Sequence, residues 1–169
     1  IDSIAHDGNP ARIAAVICNR ADAYGLQRAK QAGIATELLD HKQFDGREAF
    51  DAALILAIDA HQPDLVVLAV PVGAMAEVVA EIAPHLAPGA TITDVGSVKQ
   101  SVIDVVAPHV PEGVHFIPGH PLAGTEHSGP LSGFPSLFRN RWWLLTPLPG
   151  SNPQAVARLS DLVRAMGAK

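Results

Sequence analysis

The feature that most constrains this chain is an alternation of short, β-rich apolar runs with amphipathic segments of helical period. The runs fall at residues 12–19, 36–40, 64–72, 91–96, 115–118 and 142–146, and their length and composition predict strands. Between them, a helix over 47–61 would carry Phe50, Leu54, Ala57, Ile58 and His61 on one face. Helices over 74–83 and 153–166 would do the same with Met75, Val78, Val79 and Ile82, and with Val156, Leu159, Val163 and Met166. Strand–helix–strand units make parallel sheets, because the crossover is long and right-handed. The expected fold class is therefore α/β, a Rossmann-like three-layer α/β/α domain with a mostly parallel sheet over residues 1–169. The runs at 64–72 and 91–96 are apolar on both faces, which predicts central strands covered by helices.

Composition narrows the function classes. A chain of 169 residues, 48% hydrophobic and 17% charged, is long and apolar enough to bury one core. Its net charge of -5 and isoelectric point near 5.8 speak against a nucleic-acid partner, which would call for a basic face. The longest uncharged apolar stretch, 65–76, is too short for a bilayer and contains Pro71 and Gly73, so no membrane partner is expected. The single cysteine, Cys18, excludes an internal disulfide and a multi-cysteine zinc site, reads as core, and suits a reducing cytoplasm. No leader is visible. Opening on Ile1 rather than Met, the chain reads as a fragment whose beginning is missing.

Parallel strands gather their C-terminal ends on one edge, where open α/β sheets bind ligands. The segments leaving that edge are Asn19-Arg-Ala-Asp22, Val70-Pro-Val-Gly73, Gly96-Ser-Val-Lys99 and Gly119-His-Pro121. No Gly-x-Gly and no Walker A loop occurs, so these residues do not compose a complete nucleotide site. Ser97 has two readings. It can present its hydroxyl to a ligand at a helix start, or cap that helix in the box Ser97-Val-Lys-Gln100. Asp45-Gly-Arg-Glu48 and Ser151-Asn-Pro-Gln154 read as capping boxes too, and Asp22 as a cap. The first turn, with Arg20, could alternatively hold an anion.

His120, between Gly119 and Pro121 and near Glu126, suits proton transfer at the ligand edge, or else it bonds backbone within a loop spanning 118–135. His115 and His120 point to opposite faces of an extended segment, so no metal site is expected. His6, His41, His61, His85 and His109 read as solvated. Of the adjacent Trp142 and Trp143, one should face the core and the other outward.

Several of these residues carry a resemblance. Leu65-Val-Val-Leu-Ala-Val-Pro-Val72, Thr93-Asp-Val-Gly-Ser-Val-Lys99, Gly119-His-Pro-Leu-Ala-Gly-Thr-Glu-His-Ser-Gly129 and Asn140-Arg-Trp-Trp-Leu-Leu-Thr-Pro147 are similar to the nucleotide-binding domain of prephenate/arogenate (cyclohexadienyl) dehydrogenases. The resemblance covers residues from about 64 to 169. It implies that NAD or NADP is the cofactor and prephenate or arogenate the small-molecule substrate. By the same resemblance, His120 accepts the proton or hydrogen bond of the ring hydroxyl, Ser97 bonds that pair, and Glu126 orders the entrance. Val70, Pro71 and Val72 then line the ribose–nicotinamide side. The family's glycine-loop strand and its dimerising helical domain have no counterpart in these residues.

Residues 1 to about 69 resemble another family. Asn19-Arg-Ala-Asp-Ala-Tyr-Gly-Leu-Gln-Arg-Ala-Lys-Gln-Ala-Gly-Ile-Ala-Thr36, Phe44-Asp-Gly-Arg-Glu-Ala-Phe-Asp51 and Pro63-Asp-Leu-Val-Val-Leu-Ala69 are similar to glycinamide ribonucleotide formyltransferases of purine biosynthesis. The two resemblances imply a chimera joined within 64–72, partial or weak as a dehydrogenase, or else a catalytically silent α/β scaffold. Formyl transfer is disfavoured, because Pro118 stands where that family's catalytic asparagine would precede His120.

Overall fold

The protein is described here from a computed structural model, which covers residue 9, residues 11–124, residue 134 and residues 136–169. The elements follow the predicted alternation: β1 (Ala15–Cys18), α1 (Tyr24–Gln31), β2 (Ala35–Leu38), α2 (Arg47–Asp59), β3 (Leu65–Leu68), α3 (Met75–Ile82), β4 (Thr91–Asp94), α4 (Lys99–Val106), β5 (His115–Ile117), β6 (Gly119–Pro121), β7 (Trp143–Leu145) and α5 (Pro153–Ala165). The fold is Rossmann-like, with mostly parallel pairing. The described strands nevertheless form three ladders rather than one sheet: β1 with β2, then β3–β4–β5, then β6 with β7. The first two are parallel, and β6 and β7 are antiparallel.

β4 is the central strand, and all four of its residues are buried. Among the described strands β3 pairs with β4 alone, so it is an edge of this ladder and not the central strand its pattern predicts, and Val67 is 45% exposed. A run that is apolar on both faces reports cover above and below, and says nothing about whether both edges are paired. The ladder to β4 uses the Asp64 and Leu68 carbonyls, which accept from the Thr91 and Val95 amides at 2.9 and 3.2 Å. By the alternation of a parallel ladder, the backbone groups of Leu65 and Val67 face the other edge.

Successive residues of β5 divide the core between two layers. Phe116 packs with Leu68, Met75, Val79, Ile92, Val102 and Val106, which joins the sheet to α3 and α4. Ile117 packs on the opposite side with Trp143, Ala155, Leu159 and Val163, which joins it to α5. Full burial of each such Val, Leu, Ile, Phe or Met side chain is worth about 1.5–3 kcal/mol. α2 departs from expectation, with no fully buried residue and Leu56 exposed. It is apolar nearly all round, so its predicted stripe is not a unique one. Two histidines expected in solvent pair with carboxylates at its end. His61 Nε2 lies 2.6 Å from Glu37 Oε1, and His85 Nδ1 lies 3.1 Å from Asp59 Oδ2. Cys18 is half-buried rather than core, while His41 and His109 are exposed as expected. His6 lies outside the described residues.

All four predicted caps need correction. α5 is capped by Asn152, not Ser151, and the Asn152 side-chain oxygen accepts from the Gln154 and Ala155 amides, with Pro153 opening the helix. α2 begins after Gly46 at φ 94°, a left-handed position that Asp45 would not adopt cheaply, and no side chain caps it. α1 begins after Ala23 and α4 after Val98, again with no side-chain cap. Asp22 and Ser97 therefore do not cap their helices.

Candidate functional site

The first turn is closed to an anion by its own residues. Arg20 donates from Nη2 and Nε to the two oxygens of Asp22, at 2.7 and 3.1 Å. This fork hydrogen bond, together with the charge attraction, holds the Asp22 carboxyl below the usual carboxylate range and raises the Arg20 guanidinium further. The turn contains no glycine, so side chains stand wherever a pyrophosphate would approach backbone. The described residues do not fit that part of a dinucleotide.

The next three turns converge. Val72 follows β3, and its Cγ2 lies 3.3 Å from where a Cβ on Gly96 would stand. Gly96 is the turn after β4, so these two exits are in contact. Pro71 is exposed, and Val70 and Val72 are half-buried beside the α3–α4 core. Space around Gly73 is open to 4 Å.

The third exit is tied to the second by Asp94, which is fully buried. Its Oδ1 accepts the Gly119 amide at 3.0 Å, and its Oδ2 accepts the Gly96 amide at 2.7 Å and the Lys99 ammonium. Lys99 also donates to the Gly119 carbonyl at 2.5 Å. Gly119 is thus held through both its amide and its carbonyl. The sequence reading missed Asp94 and Lys99 as site residues. The available signal was an acidic residue at the end of an otherwise apolar strand.

Residues 119–121 form a strand, not the start of a loop. β6 pairs with β7 in the register Gly119↔Leu145, His120↔Leu144 and Pro121↔Trp143. A loop reading followed from the density of Gly and Pro, yet an edge pairing three residues long accommodates both. Alternation sets the faces: Trp143 and Leu145 pack toward α5, while His120 shares its face with exposed Leu144. Trp143 is buried and Trp142 is 61% exposed, as the adjacent pair predicted. His120 is half-buried and Ser97 exposed. Glu126 lies outside the described residues.

Around Gly119 the packing is close. A Cβ there would stand 2.8 Å from the Asp94 carbonyl oxygen and 3.0 Å from both Thr93 Oγ1 and Trp143 Nε1. The latter two are buried polar atoms with no hydrogen-bond partner among the described residues. Beyond β6 a cleft of about 460 Å³ is lined by Gly124, Phe134, Arg139 and Arg141. A second cavity, of about 490 Å³, runs along β5, lined by His115, Phe116 and Ile117 together with Leu148 and Asn152. Among the described residues no group of three or more His, Cys, Asp or Glu is placed to hold a metal, and no helix is long and apolar enough to cross a membrane.

Comparison with known proteins agrees with the fold. Residues 25–169 match the family model "Prephenate dehydrogenase, nucleotide-binding domain", which extends the resemblance well before residue 64. The cyclohexadienyl dehydrogenase of Zymomonas mobilis is 43% identical over 108 residues, 64% of this chain and 36% of that protein. The crystal structure of Aquifex aeolicus prephenate dehydrogenase with hydroxyphenyl propionate and NAD+ superposes with a TM-score of 0.60. It is 20% identical and covers 92% of this chain and 48% of that one. The phosphoribosylglycinamide formyltransferase of Escherichia coli is 58% identical over 57 residues, 34% of this chain and 27% of that protein, in the N-terminal segment. The chain spans less than half the length of these relatives. With the family model covering most of its length, the chain belongs to the prephenate dehydrogenase nucleotide-binding domain family.

Proposed function

We propose that this chain is the reaction-side part of a prephenate or arogenate dehydrogenase, the oxidative decarboxylation that NAD or NADP supports in tyrosine biosynthesis. The observation that supports the proposal is the tie through Asp94 between Gly96 and Gly119, the residues immediately before Ser97 and His120. His120 takes the proton or hydrogen bond of the substrate's ring hydroxyl, as an imidazole does near neutral pH. Ser97 orients that hydroxyl, Glu126 orders the entrance, and Val70, Pro71 and Val72 line the ribose–nicotinamide side. Aromatisation of the ring supplies the driving force, so the residues' work is orientation and polarisation. The first turn does not fit a pyrophosphate, which limits this chain on its own to weak turnover or none.

The test is reduced-cofactor formation from prephenate and from arogenate, with each of NAD and NADP, before and after His120→Ala. Turnover that His120→Ala leaves intact would refute the assigned role. If wild-type turnover is undetectable, 4-hydroxyphenylpropionate is titrated against the His120 ring signals by NMR. Absence of any shift at millimolar ligand refutes the site.

The match to the E. coli formyltransferase favours a second reading, in which the N-terminal third derives from that enzyme and joins the dehydrogenase-like part within residues 64–72. This reading expects a cytoplasmic protein stabilised by glycinamide ribonucleotide, because a ligand that binds only the folded state raises its melting temperature. An unchanged melting temperature at millimolar ligand removes it.

A further inference from the structure

We infer that Asp94 is the positioning residue of this site, setting Ser97 and His120 relative to each other through the two glycine amides that its carboxylate accepts. The inference rests on the proposed function for what the site binds, but its own content is the geometry of one side chain.

Gly96 immediately precedes Ser97, and Gly119 immediately precedes His120. One carboxylate oxygen holds each glycine, at 2.7 and 3.0 Å, and the carboxylate is fully buried. The Gly96 bond is a local one, two residues on from Asp94, whereas the Gly119 bond joins residues 25 apart, and through the shared carboxylate the two glycines are tied across the fold. A carboxylate suits this task because it only accepts, and it does so at both oxygens. Asparagine has the same shape but one acceptor. Its NH₂ would face an amide N–H or the Lys99 ammonium, donor against donor, so it can hold one turn and not both. Lys99 supplies the counter-charge that lets the carboxylate stay buried, and it adds a bond to the Gly119 carbonyl.

Relative position matters here because catalytic groups act only within a narrow geometry. A misplacement of about 1 Å can cost about a hundredfold in rate. Neither Ser97 nor His120 makes a side-chain hydrogen bond to another described residue, so their placement is inherited from the backbone beneath them. Gly96 leaves little room for a side chain, with Val102 Cγ2 3.0 Å and Asp94 Oδ2 3.1 Å from its would-be Cβ. Releasing one anchor therefore frees the segment that it holds.

The experiment compares the wild-type chain with Asp94→Asn and Lys99→Met by NMR. It reads amide hydrogen exchange at Gly96, Gly119 and Ile92, and the titration of the Ser97 and His120 signals with 4-hydroxyphenylpropionate. In Asp94→Asn at least one glycine amide is expected to exchange about tenfold faster while Ile92 keeps its rate. The ligand-induced shifts, expected at both Ser97 and His120 in the wild type, shrink or vanish at one of the two. In Lys99→Met the buried carboxylate loses its counter-charge and the Gly119 carbonyl its donor, so Gly119 is expected to exchange about tenfold faster while Ile92 keeps its rate. Full protection at both glycines in Asp94→Asn overturns the inference. If Asp94→Asn does not fold, full protection of Gly119 in Lys99→Met overturns it. A wild-type chain in which the ligand moves neither signal refutes the proposed function, and the exchange rates still decide the role of Asp94.

Discussion

Replacing Gly119 with alanine isolates the packing beneath the His120 strand. The added methyl would stand 2.8 Å from the Asp94 carbonyl oxygen, closer than real Cβ contacts allow, and 3.0 Å from Thr93 Oγ1 and Trp143 Nε1. Two of these neighbours are backbone or a ring locked between β7 and α5, so relief must come from movement of β6 itself. Overpacking of this kind costs about 1–3 kcal/mol. Moving β6 also stretches the bonds that Gly119 makes to Asp94 and Lys99, each a bond to a charged group worth about 1.5–3 kcal/mol when fully formed. The two effects overlap, because the movement that relieves the first incurs the second, so about 2–4 kcal/mol is expected in all. For a chain of this length that lowers Tm by about 5–15 °C. Gly73→Ala is the control: nothing lies within 4 Å and no positive φ is involved, so Tm should stay within about 2 °C. Thermal denaturation of both variants, followed by circular dichroism, is the assay. If Gly119→Ala melts with Gly73→Ala, the contact geometry around Gly119 is wrong.

Met75→Ala should lower stability by about 2–5 kcal/mol, since the side chain is fully buried between α3 and the sheet. Guanidinium unfolding should show an earlier midpoint at unchanged slope. Asn152→Ala removes an acceptor for two amides and should cost about 0.5–2 kcal/mol by the same measurement. The Asp22 carboxyl should titrate below an ordinary aspartate, and Arg20→Gln should return it to the usual range in a carboxyl-carbon NMR titration. Because its folded value is depressed, whatever the pair contributes is present above the unfolded value and lost as pH falls through the folded one.

The alternation of runs was enough to read the order of the elements other than β6, because periods of 2 and 3.6 are local properties of a sequence. Both core layers followed from it, down to Met75, Val79, Leu159 and Val163. Cap identity did not follow. Ser151 and Asn152 are both good caps, and the choice between them depends on which backbone amides end up free. Ser97 satisfied a capping pattern whose helix begins two residues later. At the ligand edge, the convergence of the exits after β3 and β4 was legible from parallel topology. Asp94 was not, because its role exists only once β4, β5 and β6 lie side by side. Pattern also could not tell that Val67 borders an unpaired edge, since the sequence of β3 is the same whether or not a neighbour is present.

That edge has a consequence for assembly. Among the described residues its backbone groups are unanswered at Leu65 and Val67, so it offers a template to a docking strand. Direction decides the outcome. Two copies meeting about a two-fold axis must run antiparallel, and the contact closes on itself as a dimer. A strand docked in the direction of β4 leaves a fresh open side, and growth then continues without a natural stop.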